Sequence, residues 1–289
     1  MAVFLDLGAN IGAFSLMFAA NGWHGYAFEA DETNTSLLRK SVMLNDYDIE
    51  IFENAVSDKT GTLSFFPNGP CGIVITEVLE QDNINHINEI PCVALDDLLD
   101  NAFSKVEEIN LIKMDIEGSE VAALRGMSKL VKRFKYPPIY IEINAYTLFL
   151  LSETPYSLLK TVDDLGYKTY IMNDDNTLST YPIDTFSTDV LMENVLLFKE
   201  LPANLTVVPK IYPNSSEMID WIVEKCSNIE NFKHPMEYIL YALKDFPQYY
   251  NEPRINKLLS KIATSENNDD VSPHINKAID WFRIMQKDK

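Results

Sequence analysis

An apolar strand pattern gives way to a helical pattern through Asp6-Leu7-Gly8-Ala9-Asn10-Ile11-Gly12. Open α/β sheets bind ligands at such strand-to-helix junctions, at the carboxyl ends of their strands. The two glycines permit a tight turn and a close approach of a ligand to the backbone. The amides that open the following helix can bind a carboxylate. We therefore predict a cofactor-binding loop, with contacts from Asp6, Gly8, Ala9, Asn10 and Gly12.

The next apolar stretch ends in a second acidic position, Glu29. A carboxylate at the end of the second strand can accept hydrogen bonds from both hydroxyl groups of a ribose, so Glu29 is a predicted cofactor ligand. A dinucleotide site is the alternative interpretation. It requires glycine at the third position of G-x-G-x-x-G, where this chain has Asn10, and the sequence therefore favours a neutral or zwitterionic ligand over a pyrophosphate.

Apolar runs alternate with helical patterns through the first 170 residues, which is typical of βαβ units around a parallel sheet. Strands are predicted at 2–7, 24–29, 49–56, 109–115, 138–144, 167–172 and 194–199, with a short hairpin-like strand at 62–66. Helices are predicted at 12–20, 32–45, 119–134 and 155–165. Sections 67–92 and 173–193 read as long loops, which often carry specificity. The predicted fold is α/β, with a doubly wound, mainly parallel, seven-stranded sheet.

The pattern changes near Leu201. Segments 215–227, 235–246, 252–263 and 272–286 have helical apolar spacing. We predict two units, a cofactor-binding domain at 1–200 and a helical C-terminal appendage at 201–289. Since the sequence begins directly in the first predicted strand, we hypothesise that the appendage covers the cofactor site.

The 289-residue chain has a net charge of −19, which argues against duplex nucleic acid as a partner because phosphate binding depends on Lys and Arg. The three cysteines lack metal-ligand spacing and are expected to be reduced thiols. No apolar run approaches the length of a membrane span, and no signal peptide is recognised. The expected location is the cytoplasm.

Six motifs, in this order along the chain, resemble the FkbM family of methyltransferases. They are Asp6 to Gly12 (D-x-G-A-N-x-G), Phe28-Glu29 (F-E), Asn45, Ala55 to Gly61 (A-x-S-D-x-x-G), Leu95 to Leu98 (L-D-D-L) and Leu111 to Glu120 (L-I-K-x-D-x-E-G-x-E). The resemblance covers about residues 3 to 200. It implies the Rossmann-like class I methyltransferase fold, S-adenosylmethionine as cofactor, and transfer of a methyl group to an oxygen of a sugar, glycan or polyketide-like metabolite. Class I enzymes usually receive the adenine ring after strand three, where this chain has Ala55 and Val56.

Three carboxylates fall at the ends of predicted central strands: Asp115, Glu117 and Glu142. Methyl transfer depends mainly on positioning, but an alcohol acceptor also needs a nearby base. Asp115 could line the cofactor or act as that base. Glu117 could hold the acceptor or stabilise the first turn of the following helix. Glu142 could bind the acceptor or make a structural hydrogen bond.

Lys113 shares a strand face with Asp115, because side chains alternate along a strand. A Lys in a covered strand needs a partner, so Lys113 is either part of an ion pair or catalytic. The four histidines show no metal-ligand spacing, and no resident metal is predicted, although carboxylates at these strand ends could bind Mg²⁺.

These features together predict an S-adenosylmethionine-dependent O-methyltransferase that acts on a hydroxyl group of a sugar, glycan or small metabolite. The expected partner is thus a small-molecule or glycan acceptor. The alternative from another class of protein is a non-catalytic binding or scaffold module that retains the fold.

Overall fold

The structure is a computed structural model that describes residues 1–67, 72–74, 87–181 and 192–209, together with Asp220, residues 252–255 and Lys257. The strands are β1 (Val3–Leu7), β2 (His24–Phe28), β3 (Ile49–Phe52), β4 (Ala55–Val56), β5 (Gly61–Phe66), β6 (Ile73–Val74), β7 (Asn88–Val93), β8 (Leu111–Met114), β9 (Ile139–Asn144), β10 (Lys168–Met172), β11 (Leu178–Thr180) and β12 (Met192–Phe198). The helices are α1 (Ala13–Ala20), α2 (Glu32–Asn45), α3 (Glu120–Arg125), α4 (Ser128–Arg133), α5 (Ala145–Leu150) and α6 (Pro155–Asp164).

The larger sheet has eight strands in the order β11-β10-β12-β9-β8-β1-β2-β3. The pairs from β3 to β9 are parallel, whereas β12 lies antiparallel between β9 and β10, and β11 is antiparallel to β10. The mainly parallel α/β prediction is therefore confirmed, but seven strands is one too few. The additional strand, β11, has three residues and lies at the edge of the sheet, within section 173–193. This section was predicted to be a loop because it is rich in polar residues and β11 is short.

Helices cover both faces of this sheet. On one face, Leu5 and Leu7 of β1 pack in a cluster with Val121 and Leu124 of α3. On the other face, Ala27 of β2 packs in a separate cluster with Leu38 of α2. The sheet is doubly wound because its alternating side chains are buried against both layers.

The chain reverses its direction of travel across the sheet between β1 and β8. Strands β2 and β3 follow β1 to one side, and β8 and β9 return to its other side. This topological switch point is where ligands bind in open α/β sheets. A ligand site is therefore expected at the carboxyl ends of β1, β2 and β8.

A second sheet, in the order β4-β7-β5-β6, stands beside the first. The predicted strand at 49–56 is split, because Ala55 and Val56 leave the larger sheet and pair with Cys92 and Val93 of β7. Strand β6 and all but the last residue of β7 lie inside section 67–92, which had been interpreted as a loop. Local periodicity could not find a pairing between residues this far apart in sequence.

The helix predicted at 119–134 is two helices, α3 and α4, separated at Gly126. A side chain at Gly126 would collide with the carbonyl group of Ser57, so the glycine serves a close backbone approach. The carboxylate of Asp96 accepts hydrogen bonds from the amides of Lys129 and Leu130 at 2.9 and 2.8 Å and satisfies the start of α4. Helix α5 was not predicted, although Asn144 accepts hydrogen bonds from the amides of Tyr146 and Thr147 at its start.

Most of the appendage predicted at 201–289 lies outside the described residues. The hypothesis that it covers the cofactor site depends on those residues and stays a prediction. The described part of the chain contains no helix that is long and apolar enough to cross a membrane.

Candidate functional site

A cleft of about 420 Å³ opens at the switch point. Its walls come from the loop after β1, the end of β2, the second sheet and the turn after β8. The lining residues that the sequence predicted are Gly8, Ala9, Asn10, Glu29, Ala55, Val56, Lys113, Asp115 and Glu117. The cleft therefore brings together most of the predicted cofactor residues and three of the four predicted catalytic residues.

The loop after β1 is held tightly against its neighbours. The amides of Gly8 and Ala9 donate to the carbonyl oxygen of Phe28 at 3.0 and 2.9 Å. Gly8 has a φ of 79°, and a Cβ atom there would collide with the backbone carbonyl of Asp115. Asn10 also adopts a left-handed conformation, with a φ of 53°, which Asn tolerates better than most residues. The loop thus needs glycine at position 8 and accepts asparagine at position 10.

Glu29 connects the end of β2 to this loop. One carboxylate oxygen accepts a hydrogen bond from the amide of Asn10 at 2.7 Å, and the other accepts one from the amide of Asp31 at 2.9 Å. Burial raises the pKa of Glu29, although these two amides counteract the shift. Glu29 is nearly buried but still lines the cleft, which leaves its carboxylate close to any bound molecule.

Asp6 and Gly12 lie behind the wall of the cleft. The buried carboxylate of Asp6 accepts a hydrogen bond from the hydroxyl of Ser15 at 2.7 Å and forms an ion pair with Lys113 at 3.3 Å. Gly12 has a φ of 99°, and a Cβ atom there would collide with the side chain of Leu38. These two residues are placed to shape the loop from behind.

Lys113 lies between two carboxylates. Its Nζ atom donates to the carbonyl oxygen of Gly8 at 2.8 Å, and it lies 3.3 Å from Asp6 and 3.5 Å from Asp115. The same atom is 5.4 Å from the centre of the Phe14 ring. The ammonium group thus joins β1, β8 and the loop after β1, which is the ion-pair alternative of the sequence analysis.

The three predicted carboxylates approach one another at the ends of β8 and β9. Asp115 and Glu117 line the cleft, and Glu142 is half-buried beside them. Burial, followed by the negative charges of Asp115 and Glu117, raises the pKa of Glu142 to about 7. Such a group is partly deprotonated at neutral pH, which suits a general base.

Glu117 lies in a turn and does not belong to the first turn of α3. It has a φ of 51°, and the next residue, Gly118, has a φ of 98°. The acidic residue in the first turn of α3 is Glu120, whose carboxyl group accepts a hydrogen bond from the amide of Ile116 at 3.1 Å. In the sequence, Glu120 stands out only as the last residue of a motif, and its local pattern does not indicate that it is buried.

Several apolar residues at the cleft were not predicted. Phe14 of α1 and Phe65 of β5 line it, together with Ile116. The ring centroid of Phe14 lies 6.1 Å from that of Tyr140, next to Lys113. A phenylalanine at the second position of the helix after the glycine loop was the signal available in the sequence for Phe14.

In the ranges for which the structure gives positions, no group of three or more His, Cys, Asp or Glu side chains is arranged to hold a metal ion.

Solved structures similar to this chain include several methyltransferases. The FkbM methyltransferase of Methylobacillus flagellatus KT is 21% identical, with a TM-score of 0.38, over 68% of this chain and 43% of that chain. A precorrin-6y C5,15-methyltransferase of Geobacter metallireducens GS-15 is 13% identical, with a TM-score of 0.37, over 69% of this chain and 80% of that chain. A ribosomal protein L11 methylase of Lactobacillus delbrueckii subsp. bulgaricus is 8% identical, with a TM-score of 0.36, over 69% of this chain and 70% of that chain.

No curated protein matches the chain. The chain spans less than half of the length of the Methylobacillus protein. The model of the methyltransferase FkbM domain matches residues 6–169, which is more than half of the chain and includes both the glycine loop and the turn after β8. The chain therefore belongs to the FkbM methyltransferase domain family.

Proposed function

We propose that this protein is an S-adenosylmethionine-dependent O-methyltransferase whose acceptor is a hydroxyl group of a sugar, glycan or small metabolite. The observation that carries the proposal is the cleft at the switch point, where the glycine loop, Glu29 and the carboxylates after β8 share one cavity. Family membership supports methyl transfer, and the cleft supports the roles given to its residues.

The residues of the cleft fit the parts of S-adenosylmethionine. Gly8 offers the close backbone approach that a ligand needs, and the carboxylate of Glu29 is suited to ribose hydroxyl groups. The first turn of α1, at Ala13 and Phe14, leaves amides without intrahelical acceptors, which suits the carboxylate of the methionyl part. The small side chain of Ala55 leaves room for a flat ring against β4.

When bound, S-adenosylmethionine supplies a methyl group that is already activated by its sulfonium. The protein has to orient the acceptor and take its hydroxyl proton. We assign proton acceptance to a carboxylate oxygen of Glu142, which acts as a pair with Asp115. Lys113 fixes Asp115 in place from the other side through their 3.5 Å ion pair.

Charge in the cleft restricts the acceptor. Asp115 and Glu117 line the cleft and Glu142 lies beside them, so the local charge is acidic, and the ammonium group of Lys113 is already shared between Asp6 and Asp115. A phosphate or carboxylate on the acceptor would be repelled there, because like charges in contact are unfavourable by several kcal/mol. A neutral sugar or ring hydroxyl fits better, and Phe14 offers an apolar surface against which it can pack.

Isothermal titration with S-adenosylmethionine and S-adenosylhomocysteine tests the cofactor site. We expect micromolar binding by the wild-type chain and a loss of about tenfold or more in Glu29→Gln, because the variant lacks the charge that attracts the ribose hydroxyl groups. Glu50→Gln, on the exposed face of β3, is the control and should bind as the wild type does.

The two failures of this test have different meanings. If Glu29→Gln bound S-adenosylmethionine as tightly as the wild type, Glu29 would not be a cofactor ligand. Absence of binding by the wild type would contradict the proposed function and favour a scaffold module that retains the fold. Binding would justify an acceptor screen with radiolabelled methyl donor, beginning with neutral sugars.

A further inference from the structure

The turn after β8 contains two consecutive residues with a positive φ, of which only the first is not a glycine. Glu117 and Gly118 are consecutive residues with φ values of 51° and 98°. A non-glycine residue in the left-handed region is strained and persists only where its surroundings fix it. The turn places Glu117 on the wall of the cleft, so whatever fixes the turn also sets the position of that carboxylate.

Packing fixes one side of the turn. A Cβ atom at Gly118 would collide with the backbone carbonyl of Thr147 in α5, so the chain is pressed directly against that helix. The amide of Ser119 donates to the carbonyl oxygen of Ile116 at 3.3 Å, which closes the turn. These contacts leave the amide of Ile116 to be satisfied from the other side.

Glu120 provides that contact from within the core. Its side chain is 3% exposed, and one carboxyl oxygen accepts a hydrogen bond from the amide of Ile116 at 3.1 Å. Burial, with smaller contributions from Asp115 and Glu117, raises the pKa of Glu120 to about 8. At neutral pH Glu120 is therefore mainly an uncharged acid, which can still accept through its carbonyl oxygen.

We propose that Glu120 is a positioning residue of the proposed methyltransferase site, which holds the turn at Ile116 to Gly118 and thereby orients Glu117 in the cleft. The inference rests on the proposed function for the role of Glu117, but the hydrogen bond to Ile116 can be tested separately. Glu120 lies behind the wall and acts through the backbone.

Two substitutions separate this role from simple packing. Glu120→Gln keeps an uncharged acceptor of the same shape and should retain the turn. Glu120→Leu has a similar volume but cannot accept a hydrogen bond. Glu120→Leu leaves the part-buried amide of Ile116 without its acceptor, so this variant should lose the turn and unfold at a lower urea concentration than the wild type, whereas Glu120→Gln should not.

The amide resonance of Gly118 reports on the turn directly. The chain has 10 glycines, and Glu-Gly occurs once, at Glu117-Gly118, so labelling Glu with carbonyl ¹³C and Gly with ¹⁵N selects this one amide. We expect the same resonance in the wild type and in Glu120→Gln, and a displaced or broadened one in Glu120→Leu. In the ¹⁵N spectrum of the same samples, which contains every glycine amide, the resonance of Gly22, where a Cβ atom would meet nothing within 4 Å, should stay in place in all three.

Titration of the same samples with S-adenosylmethionine gives the functional readout. Affinity should be kept in Glu120→Gln and fall by about tenfold in Glu120→Leu. An unchanged Gly118 resonance in Glu120→Leu, or a displaced one in Glu120→Gln, would overturn the inference even if one variant did not fold. If the Gly118 resonances of the three proteins behave as expected but the wild-type chain does not bind S-adenosylmethionine, the inference about the turn stands and the proposed function is contradicted.

Discussion

Lys113 joins three parts of the proposed site through one ammonium group. It is buried, and its contacts with Asp6, Asp115 and the Gly8 carbonyl satisfy a charge that would otherwise be very unfavourable in the core. Burial raises the pKa of Asp6, but the attraction of Lys113 opposes the shift. Removing either partner would leave an uncompensated charge, so we interpret Asp6 and Lys113 as a pair that supports the site.

Glu142 allows a test at the scale of one residue. We expect Glu142→Gln to reduce methyl transfer by about 100-fold or more, the usual contribution of a general base. With its pKa near 7, the base is protonated and inactive in acid, so the wild-type kcat/KM should rise with pH through about 7. Initial rates between pH 5.5 and 9, with the acceptor found in the screen, measure both effects.

The acidic limb of this profile should disappear in Glu142→Gln. Because the negative charge of Asp115 raises the pKa of Glu142, Asp115→Asn should displace the limb toward lower pH. Glu107→Gln, an exposed position shortly before β8 at the opposite edge of the sheet, should leave the profile unchanged. If Glu142→Gln had wild-type rates at all pH values, Glu142 would not be the general base.

The loop between β1 and α1 is the element whose backbone geometry matters most. Gly8 and Gly22 both have a φ of 79°, but a Cβ atom at Gly8 would collide with the Asp115 carbonyl, whereas one at Gly22 meets nothing within 4 Å. We expect Gly22→Ala to lower the free energy of unfolding by about 1 kcal/mol through the left-handed conformation alone. Gly8→Ala should lower it by about 1–3 kcal/mol more, in the range of overpacked sites.

Urea unfolding of the two glycine variants measures this difference, and titration with S-adenosylmethionine measures its effect on the loop. Gly8→Ala should also lose cofactor binding, because the collision separates the loop from the turn after β8. Gly22→Ala should bind as the wild type does. Equal stability of the two variants would show that the close approach at Gly8 relaxes easily.

At the scale of the whole molecule, side-chain packing indicates where the first predicted unit, at 1–200, ends. Leu201 and Leu205 pack on the cluster of Tyr170, Leu178 and Phe198, beyond the predicted boundary at 200. The amide of Leu178 also donates to the carbonyl oxygen of Thr206 at 2.8 Å. We propose that the unit extends through residue 209.

This boundary predicts a difference between two truncated chains. A chain of residues 1–209 should have a free energy of unfolding about 2–4 kcal/mol above that of residues 1–200, because the shorter chain loses the burial of Leu201 and Leu205. Thermal and urea unfolding of both chains provide the measurement. Equal unfolding midpoints would place the boundary at 200, as the sequence pattern suggested.

The sequence by itself determined the features that depend on local pattern. Alternating strands and helices predicted the parallel, doubly wound sheet, and the glycine loop with Glu29 predicted where a ligand would bind. The prediction of the sheet succeeds because backbone conformation, capping and burial periodicity act over a few residues, whereas the ligand site stays a prediction. Ordered motifs from Asp6 to Glu120 were enough to indicate the family.

Only the tertiary structure decided which side chains meet. It placed Asp6 behind the wall of the cleft, moved Ala55 and Val56 into a second sheet, and buried Glu120 beneath the turn that carries Glu117. Each of these results depends on contacts between segments that are far apart in sequence, and the burial of Glu120 also raises the pKa of its carboxyl group. Such contacts arise from packing in three dimensions, and local sequence patterns do not encode them.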